Sequence, residues 1–534
     1  MPDFSTLAYL PDLFGVGIPT FALRAPGGTS KIISAEEVSA AAGPVVSFET
    51  NLLVDQLRAS GRSPPPGLIE VGDAMKLRAG RSKSDGGVKA WDFWRELHRS
   101  GGGIEPFPFT RELFFARVEP PSVADVERSL TAACDLIFDV WNRNAQSLAE
   151  RDEADRFLGL ETKVQSIFFR RQAEGIKLNK DAVRSFLQTA KEEKYAAYVN
   201  VAETLRVSPT GLTFRNIGQY LDRTDASHLS EFANSPNVEE HFKIAAEGSS
   251  FAVEFLSYVR SSRDVNTLNR LLVPDERIYP YFHVMGTVTG RVLVSEPFLQ
   301  QLRRRFRGVL SPDDGNSLVY LDYRQFEPGI MADLSGDASF IEAYNSTDLY
   351  SSLSQVVFED DDHRSLCKRV FLSFCYGMTR SGLAALLLGA SPKNGEREKL
   401  EAKLQQFFDR YPGLEKLRDD LQNRLRQDGF VASLWGNRRY RLVSGALTPE
   451  ERRWSLSQRI QGTAALIFKE ALVDIADRLG PECIVLPMHD AILLQFPSSN
   501  ADRSKKIAAE IMAAKFQARC PAIVPKISDE PFAP

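Results

Sequence analysis

SLVYLDY, residues 317–323, is a short apolar run that ends on an aspartate, and CIVLPMHDAILLQF, residues 483–496, repeats the arrangement around Asp490. The first reads as a strand and the second as two strands about a tight turn. An aspartate closing a strand is more often a solvated strand end than a ligand. Two of them on adjacent strands are different, because such a pair can bridge two Mg²⁺ ions that stabilise the attacking and leaving oxygens of an in-line phosphoryl transfer. Asp322 and Asp490 are therefore the candidate metal ligands.

Between them lies HRSLCKRVFLSFCYGM (363–378), which reads as a helix preceded by an acidic cap at Asp360–Asp362. Arg364, Lys368, Leu372 and Tyr376 are spaced four apart, and four residues at about 100° each return to within roughly 40° of the same face. That face runs cation, cation, apolar, aromatic. By itself it is an ordinary helix with a solvated basic end and a core end. Opposite two carboxylates it becomes a surface for a nucleotide: phosphates on Arg364 and Lys368, sugar near Leu372, base near Tyr376. Gly377 would let a template strand approach.

The 534 residues exceed one core, and the 43% apolar and 25% charged composition is ordinary for a water-soluble chain. No apolar run is long enough to span a bilayer, LAALLLGA (383–390) being among the longest, and no signal-like N-terminus is visible. These features predict a cytoplasmic, monomeric protein without a membrane role. Five scattered cysteines and six histidines show no ligand spacing, which argues against a zinc site or a disulfide framework. A net charge of −4 neither supports nor excludes nucleic-acid binding, since only the surface along a duplex need be basic. QQLRRRFRG (300–308) and GNRRYR (436–441) are the local basic patches.

Along the chain, residues 1–110 are rich in Gly, Pro and Ser, with strand-like runs at 17–23 and 43–48 and loops at 80–87 and 100–103. Helical periodicity begins near 122 and continues through 270, broken near SPTGLT (208–213). Helices are expected over 396–410, 412–429 (opened by Pro, closed by Gly) and about 450–479.

In this order the segments resemble the family A DNA polymerases. LDYRQFEPGIMADLSGD (321–337) resembles the family's motif A, HRSLCKRVFLSFCYGM its motif B and MHDAILLQF (488–496) its motif C. FHVMGTVTGRVLVSEPFLQQL (282–302) is similar to its Thr-Gly-Arg segment, FFDRYPGLEKL (407–417) and SLWGNRRYRL (433–442) to its connecting region, and QRIQGTAALIFKEAL (458–472) to its long palm helix. The resemblance implies a primer-extending DNA polymerase that uses deoxynucleoside triphosphates and two Mg²⁺ ions, with Mn²⁺ able to substitute. It implies Asp322, Asp490 and the carbonyl of Tyr323 as metal ligands. Arg364 and Lys368 would hold the triphosphate, Lys368 also serving the leaving pyrophosphate. Tyr376 would stack at the nascent pair, Gln325 and Leu372 would line the nucleotide, and Glu327 would block a 2′-hydroxyl. Arg291, Arg453 and Gln461 would read minor-groove acceptors of primer–template DNA, which report geometry rather than sequence, and His489 would touch the primer end. No processivity partner is legible.

Departures from the family pattern are Leu372 for an aromatic residue, Ala491 for Glu, Ser457 for Asn, and Pro328-Gly329 for Leu-Arg. A single-subunit RNA polymerase would share the aspartates and cations, but the carboxylate of Glu327 argues against it. A non-catalytic DNA-binding scaffold would have no need of the intact set.

Nearer the N-terminus, SFETNLLVDQL (47–57) resembles the second motif of a proofreading exonuclease through Asn51 and Asp55, GDAMKL (72–77) the strand after it, and TAACD (131–135) the third motif through Asp135. The first motif's Asp-x-Glu is reduced to Asp3 and Ser5, and Thr131 stands for Tyr, so a nuclease fold without strong 3′→5′ activity is expected. The family's separate 5′-nuclease domain has no room here. The expected fold is a mixed α/β and α+β multidomain chain: an exonuclease-like α/β domain at 1–140, connecting helices and thumb at 141–270 (the thumb largely 165–270), palm at 271–345 and 430–534, and fingers at 346–429.

Overall fold

The computed structural model describes residues 3–12, 20–83, 85, 91–101, 109–118, 122–208, 213–223, 230, 233, 238–239, 242, 250–388 and 395–534. Residues 84 and 86–87 of the loop expected at 80–87, 102–103 of the loop expected at 100–103, the start of the 17–23 strand, the end of the 383–390 run and most of the break at 208–213 lie outside these residues. Positions 100 and 101 end a helix, Phe93–Gly101, and not a loop.

Five strands, β1 (Ser5–Tyr9), β2 (Phe21–Arg24), β3 (Ser30–Ile33), β4 (Val45–Ser47) and β5 (Leu68–Glu70), form one sheet in the order β3-β2-β1-β4-β5. β1 is antiparallel to β2 and parallel to β4. The parallel half is connected by α1 (Thr50–Ala59), the crossover that parallel strands require. GDAMKL, expected as a strand, is instead the body of α2 (Val71–Ala79). Glu70 caps it by accepting from Gly72 N, and Gly80 ends it in the left-handed region, so the strand signal is confined to Leu68–Glu70. The helix α3 (Val123–Ala149), capped by Ser122, covers the sheet. Its buried stripe reaches Leu148, so the boundary expected at 140 falls inside a continuous helix and the first core extends past it.

After α3 a short π-helical turn, Phe157–Glu161, leads into α4 (Thr162–Glu174), which packs against α1 and β5. Residues 165–174, expected in the thumb, thus belong to the join between the first domain and the rest. Two long helices, α5 (Lys180–Leu205) and α6 (Ser250–Asn269), pack along one another as an arm whose tip has its own small core around Val201, Phe251 and Phe255.

The remaining chain shares one large core. A hairpin of β6 (Tyr281–His283) and β7 (Leu293–Ser295) precedes β8 (Asn316–Tyr323). Then come the helices α7 (Phe326–Ser335), α8 (Leu349–Val357), α9 (Arg364–Cys375), α10 (Glu396–Phe408) and α11 (Pro412–Asp428), followed by the hairpin β9 (Phe430–Ser433)–β10 (Gly436–Tyr440). α12 (Pro449–Leu479) opens with a capping box from Thr448 and Glu451, as the Thr-Pro-Glu-Glu sequence invites. β11 (Ile484–Met488), β12 (Ala491–Pro497), α13 (Ala501–Arg519) and β13 (Ile527–Ser528) follow. The central sheet runs β11-β12-β8-β13, with β12 and β13 both antiparallel to β8.

Most strand and helix expectations in this half are met within two or three residues. The acidic cap before α9 is not formed as expected: Asp360 accepts from Asp362 N at 3.0 Å and pairs with His363 Nδ1 at 2.8 Å, while the N-cap residue His363 makes no side-chain cap. Both basic patches are spent internally. Arg303 pairs with Asp264 at 2.7 Å, Arg304 with Glu530 at 3.1 Å, Arg305 with Glu193, Arg439 with Asp85 at 2.9 Å and Arg441 with Glu451 at 3.0 Å. All five described cysteines are buried and free, and no described helix is long and apolar enough to cross a membrane.

Candidate active site

The register of the central sheet brings the two aspartates together. Asp322 pairs with Ala491 across β8 and β12, and Tyr323 N donates to Asp490 O at 3.2 Å. Asp490 sits in the two-residue turn after β11, reached because His489 takes a left-handed backbone with φ of 61°, a conformation His adopts more readily than most residues. Burial first, and then the neighbouring Asp490, push the Asp322 carboxyl up to about 6. Burial also raises Asp490, opposed by Arg291 and Lys368. The charge of Lys368, on α9, opposes the shift at both aspartates.

Tyr323 keeps β8 in place from behind. Its ring stacks on Phe326 with centroids 4.1 Å apart, and its hydroxyl donates to Met512 O at 3.0 Å. Gln325, with φ of 50°, then turns the chain into α7. Gly329 explains one departure from the family pattern: a Cβ there would lie 2.8 Å from the Tyr344 ring and 2.9 Å from that of Phe516. Pro328 sits in the first turn of α7, where its missing N–H costs no intrahelical bond. Ala491 is buried opposite Asp322.

Glu327, the second residue of α7, is nearly buried and is held from two sides. Arg291, at the base of the β6–β7 loop, pairs with its carboxylate, and Tyr376, the residue closing α9, donates its hydroxyl hydrogen to it. Burial raises Glu327, against Arg291 and Tyr376. Arg291 also lies 3.9 Å from Asp490. Gln461 on α12 lies near the Tyr376 hydroxyl, and Gly377, with φ of 99°, ends α9 beside Arg453. His489, whose pKa is lowered by burial and by Arg291 and Arg307, lines the same recess as Arg291 and Asp490.

At the other edge, Arg364 donates to Asp348 at 2.7 Å and Gln325 Nε2 donates to the same oxygen at 3.0 Å. Asp348 also caps α8 through Tyr350 N and Ser351 N, each at 3.0 Å, and the Tyr350 ring lies 5.4 Å from the Arg364 guanidinium. Asp348 and Tyr350 were missed in the sequence, although an Asp followed by the apolar run LYSSL is an N-cap signal. Leu372 is half-buried on the expected face, whereas Phe371 is wholly buried.

The donor set suits hard divalent cations. Two carboxylates and the Tyr323 carbonyl are oxygen ligands, and a cation between them would relieve the repulsion that helps hold Asp322 up. Among the described residues no group of three or more His, Cys, Asp or Glu forms a metal cage, so water and substrate oxygens would have to complete the shell.

The expected nuclease residues are not brought together. Asp55 accepts from Tyr281 at 2.7 Å and Gln172 at 3.1 Å, Asn51 bonds the backbone of Phe282, and Asp135 accepts from Arg24 at 3.0 Å and Ser30 at 2.9 Å. Ser5 is buried and Thr131 bonds its own helix.

The model for DNA polymerase family A matches residues 223–527, more than half of the chain. The chain belongs to DNA polymerase family A. Among its relatives, DNA polymerase I of Caldicellulosiruptor bescii is 29% identical over 269 residues, covering 46% of this chain and 31% of that one. DNA polymerase I of Pseudomonas aeruginosa is 30% identical over 240 residues, covering 41% and 26%. The aligned part of this family A chain therefore spans between about a quarter and a third of those relatives' length. The polymerase domain of Pol1 from M. smegmatis, solved with DNA primer-template and dNTP, superposes with a TM-score of 0.73 at 21% identity, covering 95% of this chain and 91% of that one. The fold is the right-hand polymerase fold of palm, fingers and thumb.

Proposed function

We propose that this chain is a template-directed DNA polymerase that adds deoxynucleotides to a primer 3′ end by two-metal-ion nucleotidyl transfer, without strong 3′→5′ proofreading. The central sheet is its palm, the α8–α11 helices its fingers, and the α5–α6 arm its thumb. The observation that carries the reading is the approach of Asp322 and Asp490 in register at the ends of adjacent strands of the central sheet.

Asp322, Asp490 and the Tyr323 carbonyl would hold Mg²⁺, for which Mn²⁺ could substitute; the ions supply charge stabilisation for the attacking and leaving oxygens. Lys368 would neutralise phosphate charge and donate a proton to the departing pyrophosphate. Arg364 binds the triphosphate once it exchanges Asp348 for phosphate oxygens, a trade of one charge-assisted partner for another. Glu327, braced by Arg291 and Tyr376, fills the space a 2′-hydroxyl would need. Arg453 and Gln461 on α12, with His489, face the primer–template end.

The first domain is an exonuclease-like fold whose carboxylates serve other contacts, which supports the absence of strong proofreading. Primer extension with deoxy- and ribonucleotides tests the reading: template-directed deoxynucleotide addition is expected, and preferential ribonucleotide addition or none at all would overturn it.

A further inference from the structure

The hairpin that presents Arg291 leans on the first domain. β6 and β7 form only three residue pairs, and a two-stranded ladder that short is marginal by itself, so its position depends on its supports. On one side Gln300 accepts from Val294 N at 3.0 Å and donates to Val292 O and Pro487 O at 3.1 Å, tying the hairpin to the strand before Asp490. On the other side stands α1. The Asn51 amide meets both backbone groups of Phe282, accepting from its N–H at 3.3 Å and donating to its carbonyl at 3.4 Å, as a neighbouring strand would.

One turn further along α1, Asp55 accepts the Tyr281 hydroxyl at 2.7 Å on one oxygen and Gln172 Nε2 at 3.1 Å on the other. Gln172 also donates to Asn51 O at 2.7 Å. Beneath the Arg291 loop, Lys469 Nζ pairs with Glu161 Oε2 at 2.5 Å and touches Met285 Sδ at 3.6 Å, and Arg156 takes the other Glu161 oxygen at 2.6 Å. The side chains of Arg156, Glu161 and Lys469 are each 1% exposed. Buried charges hold their places because leaving one unpaired is strongly unfavourable.

We propose that Asn51, Asp55 and Tyr281 are positioning residues for Arg291: the first domain mounts the β6–β7 hairpin so that Arg291 meets Glu327 and Asp490, and the carboxylate at the nuclease-like position of α1 serves the polymerase site. The proposal rests on the polymerase reading above.

The test is a double-mutant cycle on the full chain, with Asp55→Ala and Tyr281→Phe made alone and together with Arg291→Ala. Single-turnover incorporation, primer–template affinity and thermal unfolding are measured for each. Tyr281→Phe keeps the ring and removes only the hydroxyl, so it remains informative if Asp55→Ala folds poorly. Each single change should slow incorporation roughly five- to twenty-fold, the scale of a small misplacement of a site group, with primer–template affinity within about two-fold of the parent. In the Arg291→Ala background the same change should cost no more than about two-fold, because its route of action is already gone. Unchanged incorporation in the folded single variants, or losses that multiply with Arg291→Ala, would overturn the proposal. So would Mg²⁺-dependent degradation of single-stranded DNA by the parent that disappears in Asp55→Ala. A parent that extends no primer overturns the polymerase reading itself.

Discussion

Tyr376, at the end of α9 in the fingers, donates its hydroxyl hydrogen to Glu327, at the start of α7 in the palm. The two helices are thereby tied at this carboxylate. Glu327→Ala is expected to relax ribonucleotide exclusion and to weaken deoxynucleotide incorporation, since Arg291 then keeps only Asp490 as a carboxylate partner. Tyr376→Phe, which leaves the Arg291 contact intact, should relax exclusion less. Incorporation ratios for deoxy- and ribonucleotides at one template position measure both. Ratios equal to the parent's in Glu327→Ala would place the gate elsewhere.

Asp322→Asn and Asp490→Asn should each abolish extension while primer–template binding persists. Loss of metal-centred charge stabilisation corresponds to roughly three orders of magnitude or more in rate. Gel-based extension beside an affinity measurement separates the two effects, and near-normal extension by either variant would remove the assignment.

The Asp322 carboxyl, at about 6, gives a pH dependence with a defined sign. Extension requires the carboxylate, and a bound cation favours that form. At limiting Mg²⁺ the rate should therefore fall as pH drops toward and below about 6, and saturating Mg²⁺ should move the fall to lower pH. Stability in chelator should run the other way. A folded-state pKa above the unfolded value means that the native state binds the extra proton, so this group's contribution is present below about 4 and lost as pH rises through about 6. Asp322→Asn should therefore unfold less readily than the parent near pH 8, by on the order of 1–2 kcal/mol after allowance for screening, with the advantage vanishing in acid. Denaturant titrations at pH 4 and 8 in chelator would expose the opposite trend if it exists.

In the palm and fingers the elements were largely legible, and so was the approach of Asp322 and Asp490. Asp322 and Asp490 each close a short apolar strand, and the four-residue spacing of α9 puts Arg364, Lys368, Leu372 and Tyr376 toward one side. What escaped was pairing across distance. Nothing local in QQLRRRFRG says that Asp264, Glu193 and Glu530 neutralise its arginines, or that Asp348 holds Arg364 and Gln325 together. The first domain was harder to read because its motif residues persist with new partners: Asn51 and Asp55 keep nuclease-like spacing yet bond Phe282 and Tyr281, a relation between chain positions more than 200 residues apart.

A mismatched primer terminus should persist or be extended by this enzyme. Hydrolysis at the primer end by a two-metal route needs carboxylates converging on one point, and Asp55 and Asp135 are engaged with Tyr281 and Arg24 instead. Following a labelled mismatched primer with Mg²⁺ and no nucleotides gives the answer. Rapid shortening from the 3′ end, lost on changing Asp55 or Asp135, would contradict it.

Leu372 gives the last expectation, on the sugar's other hydroxyl. It lies on the face of α9 shared with Arg364 and Lys368 and is half-buried. Phe371, one residue and about 100° away, is 0% exposed and packs among Phe340, Tyr350, Phe407 and Phe408. Phe371 therefore belongs to the fingers core and cannot substitute at the nucleotide. A leucine there has neither ring nor hydroxyl and holds a sugar only by apolar contact. The parent should discriminate against dideoxynucleotides, and Leu372→Tyr should admit them much more readily, because a phenolic hydroxyl can stand in for the missing 3′-hydroxyl. Competition between dideoxy- and deoxynucleotides in single-turnover extension measures the ratio. Phe371→Leu serves as the control: it opens a cavity in the fingers core, which destabilises the fold by about 1–3 kcal/mol without reaching the sugar. An unchanged ratio in Leu372→Tyr beside a changed one in Phe371→Leu would mean that sugar recognition is transmitted through the core and not made on this face.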